Sequence, residues 1–158
     1  EEVADLREGQ NKLWEEVKGL SFNFRQLGRA LGMTLEYYTA AFIERYLVER
    51  GYPIEKLKIG VEVNIMYKGR SIEVDILNED PLIVGEVTTY LGSAKEAEGE
   101  ADKLLERVRI IEEIYGRSVE LKILAVANLV SEAAEALEKL AYRYGLMILT
   151  GREVEYPG

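Results

Sequence analysis

From Val119 to Val130 the chain is nearly continuous apolar side chain, interrupted only by Glu120, Lys122 and Asn128. A strand with one wet face alternates apolar and polar residues, whereas a run like this one reads as a strand buried on both faces. It asks for cover on both sides, and helical patterns flank it. Ser93-Ala94-Lys95-Glu96 reads as a capping box opening a helix to about Tyr115, with the apolar line Ala97, Ala101, Leu104, Val108 and Ile111 and a stop at Gly116. Ser131 is expected to cap a further helix to about Tyr144, after which Gly145 leads into a strand at Leu146-Met147-Ile148-Leu149-Thr150.

Upstream the pattern changes. Thr34 is a good N-cap for a helix to about Arg50, stopped by Gly51 and Pro53. On a helical projection Phe42, Leu35, Tyr46, Ile43, Leu47 and Ala40 share one broad apolar arc. Glu36 falls inside that arc, while Glu44 and Arg45 point away. Three strands follow: Lys56 to Tyr67, a turn at Lys68-Gly69-Arg70, the run Ser71 to Leu77, a turn at Asn78-Glu79-Asp80-Pro81, and the run Leu82 to Thr89. The order helix, three-strand meander, helix, strand, helix, strand makes the chain α/β. At 158 residues and 47% hydrophobic side chains it can build one ordinary core.

Two of these strands carry acids. Asp75 lies in Ser71-Ile72-Glu73-Val74-Asp75-Ile76-Leu77, and Glu86 in Leu82-Ile83-Val84-Gly85-Glu86-Val87-Thr88-Thr89. An acid inside an apolar strand is costly unless it is paired or holds a cation. If Asn78 pairs with Ile83, the antiparallel register sets Asp75 opposite Glu86 on one face, where a shared divalent metal is the economical explanation. The chain has no cysteine and no histidine. Disulfides, thiolate chemistry and imidazole bases are therefore excluded, and any metal must be held by oxygen, which favours Mg²⁺, Mn²⁺ or Ca²⁺ over zinc.

A net charge of −9 argues against a nucleic-acid partner unless the basic residues gather on one face. With 31% charged residues, two Gln and five Asn, the composition leans towards a heat-adapted source. No run of about 18 apolar residues and no charged-apolar-small leader is present. The expectation is a soluble, cytoplasmic protein without a membrane partner. At the N-terminus Val3, Leu6, Gln10, Leu13, Val17, Leu20, Phe24 and Leu27 alternate spacings of three and four, an a/d pattern with a polar core position at Gln10. It predicts a coiled coil, and a parallel homodimer through residues 3–27; folding back onto the domain is the alternative, kept open by Gly9 and Gly19.

Taken together, Glu36 on the first helix, Asp75 in Ile-Glu-Val-Asp-Ile and Glu86-Val87-Thr88 after Leu-Ile-Val-Gly resemble the PD-(D/E)XK nuclease superfamily. The coiled coil, Gly-Met-Thr-Leu-Glu at 32–36, Gly51-Tyr52 and Gly-Arg-x-Ile-Glu-Val-Asp at 69–75 look more closely like a group of largely uncharacterised archaeal coiled-coil proteins carrying this domain. The resemblance implies a restriction-endonuclease-like αβββαβ core with a mixed sheet over residues 32–158, preceded by a coiled-coil helix at 1–31. It also implies Mg²⁺- or Mn²⁺-dependent hydrolysis of a phosphodiester in nucleic acid, DNA rather than RNA. Asp75 and Glu86, with the Val87 carbonyl and Glu36, would hold the ion.

In that family a lysine two residues after the glutamate ordinarily orients the attacking water. Here the place holds Thr88, which brings no charge. Lys95 and Lys122 are the candidate substitutes, each equally readable as a solvated surface lysine, and Arg70 could contact phosphate or face water. Glu36 could equally be a first-turn acid favoured by the helix N-terminus. Three readings stay open: a metal-dependent nuclease, a catalytically degenerate nuclease-like domain used for dimeric binding or assembly, and a structural module whose Asp75 and Glu86 pair with Arg70 or Lys122.

Overall fold

In the computed structural model, residues 33–154 are described; the heptad segment at 3–27 and the dimer it predicts lie outside the described residues. Thr34, in extended conformation, opens helix α1 (Leu35–Glu49) by accepting the Tyr37 N–H on its hydroxyl at 3.2 Å. The helix buries Leu35, Tyr38, Ile43, Tyr46 and Leu47. After Pro53 the chain makes a 3-10 turn at Ile54–Lys56, so strand β1 (Gly60–Tyr67) begins later than the sequence pattern predicts.

Strand β2 (Arg70–Asn78) pairs antiparallel with β1, and the Tyr67↔Arg70 register leaves Lys68-Gly69 as a two-residue turn. Both turn residues have positive φ, +47° and +77°. That is the geometry whose twist matches a hairpin. Strand β3 (Ile83–Leu91) returns antiparallel to β2 with Asn78 opposite Ile83, the register expected from the loop length. The buried Asn78 amide closes this turn by donating to the Pro81 carbonyl at 2.8 Å.

Helix α2 (Ala94–Tyr115) is capped by Ser93, whose Oγ accepts the Glu96 N–H at 3.1 Å, while the Glu96 carboxylate reaches back to the Gly92 N–H at 2.7 Å. It ends at Gly116 in the left-handed conformation. Strand β4 (Leu121–Val130) then runs without a linker into helix α3 (Ser131–Tyr144). Ser131 is consequently the first helical residue and not the cap. That position falls on Val130, the last residue of the strand, which offers no side-chain hydrogen bond. Strand β5 (Met147–Val154) completes a five-stranded sheet of order β1-β2-β3-β4-β5, with β4 parallel to β3 and β5 parallel to β4.

The mixed sheet is covered on both faces. One face packs Val84, Leu124, Val126 and Ile148 against Ala101, Leu104, Val108 and Ile111 of α2 and Ala133, Leu137 and Ala141 of α3. The other packs Ile76, Ile83, Ile123, Ala125 and Leu149 against α1. Alternate residues of β4 thus belong to different cores, which accounts for its unbroken apolar run. Among the described residues no helix is long and apolar enough to cross a membrane.

Candidate functional site

Strands β2 and β3 are laddered only from Asn78↔Ile83 to Ile76↔Gly85. The next opposed residues are Asp75 and Glu86, and there side chains take over from the backbone. Asp75 Oδ2 accepts the Val87 N–H at 2.9 Å, and Glu86 Oε2 accepts the Asp75 N–H at 3.4 Å. Each carboxyl group satisfies an amide of the other strand's edge, so the opening leaves neither donor orphaned.

The opening coincides with a twist in the neighbouring pair. Pairing of β1 with β2 skips Glu62 and Asp75, and Glu62 holds a φ of +51°. Val74 packs beneath α2 and α3, whereas Ile76 packs beneath α1. Residues two apart in a regular strand share a face, so β2 turns over at Asp75.

Glu86 is fully buried, on the α2 face of the sheet, and Asp75 is half-buried. Burial first, then the hydrogen bond to Asp75 and the charge of Asp75, push the Glu86 carboxyl up to about 8, against an opposing pull from the charge of Lys103. The protonated form of Glu86 is therefore favoured, hydrogen-bonded to Asp75. Glu86 Oε1 is buried without a hydrogen-bond partner. The nearest cation to it is Arg107 of α2, whose Nε lies 3.7 Å away, too far for a hydrogen bond, and instead donates to the Glu73 carbonyl at 3.0 Å.

The sequence-derived candidates divide. Asp75 and Glu86 come together as expected, and Val87 joins them through its peptide N–H while its side chain packs towards α1. Thr88, half-buried, follows Glu86 on the same strand face by alternation. Glu36 sits in the first turn of α1, the helix that covers the opposite face from Glu86. Among the described residues no group of three or more acidic side chains is arranged to hold a metal, so Glu36 does not join the pair.

Lys95 is exposed on the first turn of α2. Lys122 is turned to the end of α3, where its ammonium donates to the Tyr144 carbonyl at 3.3 Å. Arg70 is exposed at the start of β2. The cations that bear on Glu86 are Lys103 and Arg107, neither of which the sequence alone singles out. Their only signal is a spacing of four, which sets both on one flank of the Leu104–Val108–Ile111 line. Compared with protein-family models, curated proteins and solved structures, the chain finds no match.

Proposed function

We propose that this chain is a PD-(D/E)XK nuclease-like domain whose Asp75–Glu86 pair takes up Mg²⁺ or Mn²⁺ for phosphodiester hydrolysis of nucleic acid. The observation that carries the reading is Glu86 Oε1: a fully buried carboxyl oxygen with no hydrogen-bond partner, beside a second carboxyl group, at the one place where β2 and β3 part. Buried polar atoms are normally satisfied, so this one asks for a ligand. An all-oxygen set of two carboxylates fits Mg²⁺, which usually keeps several waters and needs only one or two carboxylates from the protein. When bound, such an ion polarises a phosphate and lowers the pKa of an attacking water. Element order and a strand order of β1-β2-β3-β4-β5 with only β2 running against the rest support the restriction-endonuclease-like assignment.

The chain's own residues set the limits of this chemistry. Asp75 orients the Val87 peptide, Leu124 and Val84 belong to the buried core on the face of Glu86, and Thr88 adds no charge where the family ordinarily has a lysine. Turnover is accordingly slow. Thr88, together with only two acids at the site, supports a second reading, a degenerate domain used for dimeric binding or assembly through residues 3–27.

Calorimetric titration with Mn²⁺ and Mg²⁺, followed by cleavage assays on duplex, single-stranded and branched DNA, tests both. Ion uptake lost in Asp75→Asn is the expected result, with weak cleavage in the parent that Thr88→Lys raises. No ion uptake by the parent would reduce the pair to a structural one. Uptake without cleavage, even in Thr88→Lys, would favour the second reading.

A further inference from the structure

Arg107 is an unusual neighbour for Glu86. Its side chain is 18% exposed and Glu86 is sealed, and their charged groups approach to 3.7 Å without closing into a hydrogen bond. A pair built for stability would form hydrogen bonds of about 2.7–2.9 Å, bidentate for arginine. Here the Nε–Oε1 distance is 3.7 Å and Oε1 stays unsatisfied. The guanidinium is held instead by the backbone, through Nε to the Glu73 carbonyl, and by Glu106 on Nη1 at 3.4 Å. The tether fixes where the charge stands without neutralising it against Glu86. Lys103, one turn earlier on α2 and exposed, is close enough for its charge to act on Glu86. Strand β3 itself, Ile83–Leu91, contains no cation.

Building on the proposed nuclease-like site, we infer that Arg107 and Lys103 form its anion-binding pair and hold a phosphodiester oxygen of nucleic acid over Asp75 and Glu86. The pair supplies from helix α2 the positive charge that Thr88 cannot bring from the strand. Guanidinium suits this task because its planar fork binds phosphate oxygens in a fixed geometry. With the whole chain at −9, long-range attraction for a polyanion is absent, and these local contacts must carry the binding. The same charges repel a metal cation. Removing them should therefore weaken anion binding and leave ion uptake equal or stronger, whereas a merely structural loss would weaken both.

The experiment measures fluorescence anisotropy of a labelled short DNA, duplex and single-stranded, in low salt with chelator and again with Mg²⁺, beside Mn²⁺ calorimetry. Arg107→Ala is expected to lower DNA affinity roughly tenfold, the worth of one charge-assisted contact, with Mn²⁺ affinity unchanged or higher and partial recovery in Arg107→Lys. Lys103→Ala, at an exposed position, should show a smaller loss of the same sign and serves if Arg107→Ala fails to fold. Unchanged DNA affinity in both alanine variants, or no DNA binding by the parent in either condition, overturns the inference. If the parent takes up no Mn²⁺, the metal reading fails by itself, and the Arg107 effect in chelator still decides this one.

Discussion

Strand β3 has two edges of opposite character. Towards β4 it is paired from Ile83↔Leu121 to Leu91↔Leu129, with only Thr89 passed over, and Ile83, Val84 and Leu91 are buried in the cores on its two faces. Towards β2 the ladder stops at Gly85, and the next donors, the N–H groups of Asp75 and Val87, are taken by carboxyl groups. Along the closed edge the strand is matched by backbone pairing. The open edge trades backbone pairs for two acids, and burial together with Asp75 holds back the ionisation of Glu86. One side of a single strand is closed by backbone pairing and the other by carboxyl side chains.

The largest test of this contrast lies on the closed side. Leu124 stands beside Glu86 across the β3–β4 pair and is fully buried. Leu124→Ala should cost about 2 to 5 kcal/mol in a urea unfolding series through lost burial and a residual cavity. A loss below about 1 kcal/mol would mean that the closed edge is less tightly packed than a core of this kind requires.

Next in size is the pH response of the open edge. Glu86 rises from a usual value of 4.5 to about 8 in the folded chain. Between those values the folded state holds a proton that the unfolded state has released, so the Glu86 contribution is fully present below 4.5 and fades as pH climbs through 8. Glu86→Gln keeps a donor for Asp75 and cannot ionise. In chelator, the stability of Glu86→Gln relative to the parent should improve by about 2 to 3 kcal/mol between pH 6 and pH 9. Parallel curves for the two proteins would show that Glu86 titrates normally.

The smallest effect is expected at the point where the ladder ends. A Cβ on Gly85 would stand 3.1 Å from Ile76 Cβ and 3.5 Å from Ile123 Cβ, wedged between both neighbouring strands. Gly85→Ala should destabilise by about 1 to 2 kcal/mol. Hydrogen exchange should then show faster opening at Ile76 and Val84 than along β4. Equal changes on both edges would erase the distinction.

Much of this architecture is legible in the residues themselves. The Asn78-to-Pro81 turn fixes the β2–β3 register by its length, and Thr34, Ser93, Gly116 and Gly145 mark helix ends by local chemistry. What a pattern cannot express is which face of the sheet a helix covers. The apolar arc of α1 shows that Glu36 points inward, yet inward here means the face away from Glu86. Arg107 is hidden for a related reason: a basic residue flanking a helix's apolar line looks like any solvated one until the helix is laid on β2 and β3. Glu62 gives no warning either, since its left-handed φ falls on a residue type that seldom adopts it.

That residue has a consequence for how molecules of this protein meet one another. Among the described residues β1 is an outer strand of the sheet, and outer strands offer a template on which another chain can add and begin a fibre. Such growth needs a straight row of free peptide groups. Glu62 breaks the row with its φ of +51°, and two residues earlier Gly60 lies so close to Val63 that a Cβ there would meet its Cγ2 at 2.7 Å. The exposed charge of Glu62 and the exposed amide of Asn64 lie along the same stretch, and polar, bent edges disfavour such pairing. The bend beside the acidic pair thus also interrupts the outer edge that a second chain would need for self-templated pairing.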